Sequence, residues 1–242
     1  MTTSTLRMLA CAATVIAAAP ATAATLYDPA LGSMPFAQGW TPGPSTIGVV
    51  QGVSGGLYSL DTTASVLTQY GWARIGNVSL DTATGFDLGF TLRVASESHL
   101  NTNRAGFTLM VNGADPTREI EFGFWTDRIF AYDYSGGSFV HGADVAFDTT
   151  GLTTYTLSVR SQTFSLRSGA TTLLSGSLRD YTSYTGLGHE FYQAANFIFV
   201  GDNTSSAAAA VQLGAVTLTP VPEPATATLL TAGLALVARR RR

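Results

Sequence analysis

Cysteine is almost absent from this 242-residue sequence: the one residue, Cys11, lies in an apolar stretch near the N-terminus. From residue 25 onward the chain has no disulfide, no thiolate metal site and no cysteine nucleophile. Lysine is missing altogether, so all 13 basic residues are arginines. Charged residues make up only 12% of the chain, where an average domain has roughly a quarter. Arg7 and Arg239 to Arg242 belong to terminal segments, and Glu223 is the one acid beyond residue 220, so residues 25–220 keep eight arginines against fifteen acids. An acidic body without a basic stripe argues against nucleic acid and against anionic lipid. Sustained 3.6-residue periodicity is lacking as well, which excludes a helical bundle. No G-x-S-x-G nucleophile elbow occurs. The glycines of Gly52 to Gly56 precede strand-like segments and read as turns, not as phosphate loops.

The two ends carry signals. Arg7 is followed by a largely apolar run of 12 residues, Met8 to Ala19, broken only by Thr14, and then by Ala21-Thr22-Ala23, an A-x-A site. This is the layout of a secretory signal peptide over residues 1–24, cut after Ala23 or Ala24. Its apolar run would cover only about 18 Å as a helix, short of a hydrocarbon core of roughly 30 Å. At the other end, Pro222 and Pro224 flank Glu223 and forbid helix and strand alike. Ala225 to Ala238 then runs for 14 residues without a charge, and Arg239, Arg240, Arg241 and Arg242 close the chain. Four arginines after an apolar run hold that end in the cytoplasm and leave the body outside. The run is too short for a comfortable permanent span, about 21 Å of helix, so a transient insertion in the inner membrane is expected. Residues 221–242 resemble the PEP-CTERM sorting signal: a Pro-Glu-Pro motif, an apolar segment and a terminal arginine cluster. The resemblance implies a Gram-negative bacterium that also makes extracellular polysaccharide. It implies recognition and cleavage near the motif by an exosortase. It also implies secretion through the inner membrane to the cell surface or extracellular matrix, the setting of a biofilm.

Between the signals, residues 25–220 alternate with period two. Phe86, Leu88, Phe90, Leu92 and Val94 set the pattern, and Phe107, Leu109 and Val111 repeat it. Ile120, Phe122 and Phe124, then Tyr155, Leu157 and Val159, then Phe164 and Leu166 do the same. Asn196 to Val200, apolar on both faces, predicts a central strand. Val211 and Leu213 have one parity and Val216 and Leu218 the other, which predicts a bulge near Gly214. Gly55-Gly56, Asn112-Gly113, Gly136-Gly137 and Ser168-Gly169 mark turns. About a dozen short strands in this rhythm predict an all-β protein, an antiparallel sandwich of jelly-roll type. Four stretches carry a second resemblance: Leu26 to Gly32 with Gln38-Gly39-Trp40, Ser96 to Phe107, Glu119 to Ile129, and Gly201 to Thr204. Together they resemble the choice-of-anchor domains, type Y. Tyr155 to Ser175 is similar to the late hairpin of concanavalin A-like and laminin G-like sandwiches. These resemblances imply a fold and a setting, and bring no functional residues with them.

Glu119 and Glu121 stand two apart on a strand, so both carboxylates share one face with Gly123 and Trp125, opposite Ile120, Phe122 and Phe124. Two carboxylates and an indole on an open sheet face would furnish a sugar groove. Concanavalin A-like glucanases carry a further glutamate in this motif, where Gly123 or Phe124 stands here, so the second carboxylate of a retaining pair is missing. Trp125, Asp127 and Arg128 combine a stacking face with a carboxylate and a guanidinium, a set suited to sugar hydroxyls. The bland alternatives are glutamates on a solvated face paired with Arg118 or Arg93, and an Asp127–Arg128 pair that is only local. His99, His141 and His189 lie about forty residues apart and show no metal-ligand spacing. Asp202, Asn203 and Thr204 offer hard oxygens for a calcium ion, without EF-hand spacing.

The reading is a non-catalytic, exosortase-sorted structural or adhesive protein without a cofactor. A carbohydrate-binding module for extracellular polysaccharide and a divergent glycoside hydrolase stay open as alternatives. The intact mass of the secreted form is expected to lack residues 1–23 or 1–24 and the segment beyond the Pro-Glu-Pro motif. An envelope form that still carries Arg239 to Arg242 would overturn the processing expected from the two signals.

Overall fold

A computed structural model describes residues 22–45 and 48–221. The leader up to Ala21 lies outside the described residues, as do Pro222, Glu223, Pro224, the apolar tail and Arg239 to Arg242. Ala23 is described: it is exposed and directly precedes the first strand. Among the described residues no helix is long and apolar enough to cross a membrane.

The described chain forms fifteen strands. They are β1 (Ala24–Tyr27), β2 (Thr41–Ser45), β3 (Val50–Ser54), β4 (Leu57–Asp61), β5 (Tyr70–Ile75), β6 (Phe86–His99), β7 (Thr108–Asn112) and β8 (Glu119–Phe124). Then come β9 (Arg128–Ser135), β10 (Ser138–Ala146), β11 (Thr153–Arg160), β12 (Thr163–Ser168), β13 (Thr171–Ser177), β14 (Phe197–Asp202) and β15 (Ala207–Pro220). The strands make two antiparallel sheets. One has eight strands in the order β13-β12-β11-β6-β15-β4-β3, with β1 also on β15; the other has seven, β10-β9-β8-β7-β14-β5-β2. The expected sandwich is what the chain adopts.

Alternation decides the packing. Phe86, Leu88, Phe90, Leu92 and Val94 of β6 turn into the space between the sheets and meet Ile120, Phe122 and Phe124 of β8. The rings of Phe90 and Phe124 meet edge to face at 6.1 Å, and those of Phe122 and Phe164 at 5.3 Å. β14 lies inside its sheet between β7 and β5 and is buried along its whole length, as its two-sided apolar pattern requires. The register of β15 against β6 breaks between Leu213 and Val216, where the change of parity predicts a bulge. The opening segment is tied back on itself. Gln38 exchanges two 2.8 Å hydrogen bonds with the backbone of Asp28, and the Trp40 indole donates to the Leu26 carbonyl at 2.8 Å.

The seven-stranded sheet also has its outer face covered. A long connection between β13 and β14, residues 178–196, folds back across it. Tyr181 and Tyr192 from this cover pack on Met110, Phe197 and Phe199, which the alternation of β7 and β14 turns away from the main core.

Candidate functional site

The covered face brings together residues that alternation alone would leave in water. Glu119 and Glu121 point outward from β8, as expected, yet both are 0% exposed. This corrects their expected place on an open or solvated face: the cover takes the water's place. Arg118 and Arg93 are not their partners. Arg93 bonds the Thr150 carbonyl, and Arg118 bonds the Thr117 carbonyl.

Glu121 lies at the centre of a polar network. One oxygen accepts from the Asn203 amide at 2.9 Å and from the Arg104 guanidinium at 3.4 Å. The other accepts from the Tyr192 hydroxyl at 2.9 Å. Arg104 also donates to Asn203 at 2.7 Å and lies over the rings of Tyr132 and Phe139, 4.5 and 4.9 Å from their centroids. Burial, and then the Glu121 charge, push the Tyr181 and Tyr192 phenols up, so both stay donors. Tyr181 uses its proton on the Tyr132 carbonyl at 2.6 Å. Asn112 on β7 fastens the cover a third time, donating to the carbonyls of Phe191 at 2.7 Å and Ala194 at 3.0 Å.

Glu119 has a different environment. Its backbone pairs with Arg179 of the cover in both directions, at 2.9 and 2.7 Å. Burial first, then the charges of Asp180 and Glu121, push its carboxyl up to about 9 against the pull of the Tyr181 N–H. Asp202, at the end of β14, is held by the Thr62 hydroxyl at 2.8 Å and the Thr204 N–H at 3.1 Å. Burial still outweighs these bonds and raises its carboxyl to about 8. The Asp202 and Asn203 oxygens considered for calcium are thus engaged by protein donors. Among the described residues no group of three or more His, Cys, Asp and Glu is placed to hold a metal.

Trp125 is only 7% exposed, which corrects its expected role as an open stacking platform. The His99 imidazole lies parallel to it at 4.2 Å and 5°. Phe130 and His141 meet it edge-on at 5.1 and 5.4 Å, and its indole donates to the Arg104 carbonyl at 3.1 Å. Asp127 and Arg128 sit beside it in a local ion pair of 3.7 Å, with Arg128 bonded more closely to Asp144 at 2.5 Å. Sequence reasoning places Trp125, Asp127 and Arg128 together, and the structure does so as well, with the indole covered.

Next to the buried network the outer face opens into a groove of about 550 Å³. Met110, Phe197 and Phe199 lie on its sheet side, and Phe139, Tyr184, Phe191 and Tyr192 bring rings from β10 and the cover. Arg104, Asn203, Ser138 and Ser205 supply polar groups, and Leu187 stands at the rim, 90% exposed. Among the described residues Glu190 is the one acid that lines it; Glu119, Glu121, Trp125 and Asp127 do not. The ring-bearing residues of the cover went unmarked in sequence. Their signal was a polar-looking loop, 181–192, that nonetheless carries Tyr181, Tyr184, Phe191 and Tyr192.

These features define an all-β sandwich with a groove on one sheet and a sorting tail. Residues 220–242 match the PEP-CTERM protein-sorting motif, which marks the chain as an exosortase-sorted protein, extracellular or at the cell surface. No curated protein matches its sequence. Its fold is similar to that of the carbohydrate esterase vb_24B_21 from the Shiga toxin-encoding bacteriophage phi24B, with TM-score 0.54, 14% identity, and 82% of this chain and 99% of that chain covered. A sialidase is similar at TM-score 0.51 and 9% identity over 85% of this chain and 19% of its own. The Emp46p carbohydrate recognition domain matches at TM-score 0.48 and 11% identity over 80% of this chain and 94% of its own. At these identities the likeness is one of fold.

Two expectations follow. Trp125→Ala should cost about 3–5 kcal/mol of stability, the scale for emptying a buried aromatic site, measured by denaturant unfolding. Unchanged stability would contradict the closed packing of His99 on the indole. Glu119 and Asp202 hold protons in the folded state that the unfolded chain has released, between ordinary carboxylate values and about 9 and 8 respectively. Their stabilisation is complete below the unfolded values and falls as pH rises through that window, by about 1.4 kcal/mol per pH unit for each proton. Glu119→Gln removes one of these terms, so the variant should gain on the parent between pH 5 and pH 8. Parallel stability curves over that range would refute a neutral Glu119.

Proposed function

We propose that the protein has a non-catalytic adhesive role at the cell surface or in the extracellular matrix, holding extracellular polysaccharide in the groove on its seven-stranded sheet. The observation that carries this reading is the groove's lining. The rings of Phe139, Tyr184 and Phe191 offer faces for sugar C–H surfaces, with Tyr192 buried behind them, and Arg104, Asn203, Ser138 and Ser205 offer hydrogen bonds nearby. Such a mix of rigid apolar faces and a few fixed polar groups suits a saccharide better than a charged ligand. The Arg104 charge is already met by Glu121.

A non-catalytic role is supported by where the carboxyls lie. A glycosidase needs two carboxyl groups flanking the bond to be broken. Glu119 and Glu121 differ in environment in the way an acid and its partner would, but both are sealed from solvent and absent from the lining. Among the described residues Glu190 is the one carboxyl group that lines the groove. Ser138 and Ser205 line it without a histidine among their fellow lining residues, so an esterase-like nucleophile has no base beside it.

Retention on polysaccharide in affinity electrophoresis tests the reading. Tyr184→Ala removes a half-buried ring of the groove without opening the main core. It should weaken retention about tenfold to thirtyfold, the scale for losing an aromatic anchor, with melting within a few degrees of the parent. Equal retention of variant and parent would refute this groove as the site, and release of reducing ends from the polysaccharide would refute a non-catalytic role.

A further inference from the structure

Five strands border the two sheets among the described residues: β1 and the pairs β3 and β13, β2 and β10. Four of them carry the features that keep sheet edges from pairing with other chains. β2 contains Pro42 and Pro44, and its register on β5 breaks between Pro42 and Ser45. β10 breaks register between His141 and Asp144 and has Asp144 in an ion pair with Arg128. β13 breaks register opposite Leu166 and Arg167. β1 has four residues and breaks between Thr25 and Tyr27.

β3 has none of these features. Val50 to Ser54 pair with β4 in unbroken register, and β3 with its turn, Val50 to Gly56, contains no charged residue; Asp61 of β4 stands opposite Val50. Val50 is 67% exposed. Gly55 and Gly56, at φ +59° and +74°, make the tight turn that pairs Ser54 with Leu57. Counting back from that closing pair, Gly52 turns its backbone groups to β4, whereas Gln51 and Val53 turn theirs outward.

We propose that two copies of this chain pair antiparallel through β3 across a two-fold axis at Gly52, joining their eight-stranded sheets into one. The strand is self-complementary in that arrangement. Gly52 faces Gly52 of the partner subunit, and Val50 faces Ser54 of the partner subunit. Gln51 faces Val53 of the partner subunit, and the outward backbone groups of these two positions exchange hydrogen bonds on both sides of the axis. No like charges oppose one another. Val53, which packs half-buried at the margin of the core, gains cover from the second copy.

Gly52 is the place to test this, because a Cβ built there meets nothing within 4 Å in the single chain. In the full chain held in mild detergent, with Cys11→Ser as background, Gly52→Cys sets two thiols across the axis. Strand residues facing each other in this way lie about 4.5 Å apart at Cα, within the roughly 4.4–6.8 Å that a disulfide spans. Air oxidation should double the mass of Gly52→Cys on a non-reducing gel, reversibly with reductant, while Thr171→Cys on the opposite edge stays single. Light scattering on the parent should give twice the chain mass. Gly52→Lys, which sets like charges face to face, should give one chain mass with the parent's far-UV circular dichroism and a melting temperature no longer dependent on protein concentration. A parent that stays single at every concentration means that β3 is bare or is covered by a segment of its own chain, and overturns the proposal. A Gly52→Lys dimer overturns it too, as does cross-linking no greater for Gly52→Cys than for Thr171→Cys.

Discussion

The Glu121 carboxyl is sealed on the outer face of a sheet, and the surrounding structure answers that constraint. A buried carboxylate without partners would cost several kcal/mol. Three separate segments supply what it needs: Arg104 from the β6–β7 connection, Asn203 from the β14–β15 connection and Tyr192 from the cover. Each donor is held in turn. Arg104 lies on Tyr132 and Phe139, Asn203 accepts from Arg104, and the cover is fastened by Asn112. Bonds that share members in this way reinforce one another, although one buried guanidinium nitrogen of Arg104 has no hydrogen-bond partner. The chain therefore fixes three loops in one arrangement, and the groove is what that arrangement leaves open.

The same constraint separates two regions that the sequence suggests are one. The carboxyls and Trp125 become internal supports. In the proposed role, recognition falls to the rings of the cover and of β10, which the network presents at the groove. A rigid, ring-lined groove loses little side-chain entropy on meeting a sugar. In that role a single groove of this size would hold a short stretch of glycan, and a polymer offers the same stretch many times. Weak contacts repeated along a polymer, or from two copies of the chain, add through effective concentration without any one of them being strong. A protein sorted to the cell surface or beyond it is placed where such repetition is available.

Much of the sandwich was legible in the residues. Period-two runs such as Phe86 to Val94 place a strand and its core face together, because alternation is set by backbone geometry. The two-sided apolar run at β14 and the change of parity at Gly214 read correctly for the same reason. The faces of β8 also read correctly: Ile120, Phe122 and Phe124 are inside, and Glu119 and Glu121 point the other way. Whether the other way meant water was not legible. That depended on residues 178–196, whose rings are spaced without strand or helix period and whose destination is a contact across some sixty residues of chain.

The sequence by itself determined the C-terminal sorting motif, the all-β class, the absence of disulfides beyond the leader and the inward face of each strong strand. These rest on short-range chemistry: composition, alternation and turn residues act within a few positions of one another. Tertiary structure alone decided that Glu121 would meet Arg104 and Asn203, that His99 would close over Trp125, and that a groove would form beside them. Those contacts join residues 17, 82 and 26 positions apart. Only the stacking of strands and the path of the cover bring such distant groups within hydrogen-bonding range, and no local pattern encodes that path.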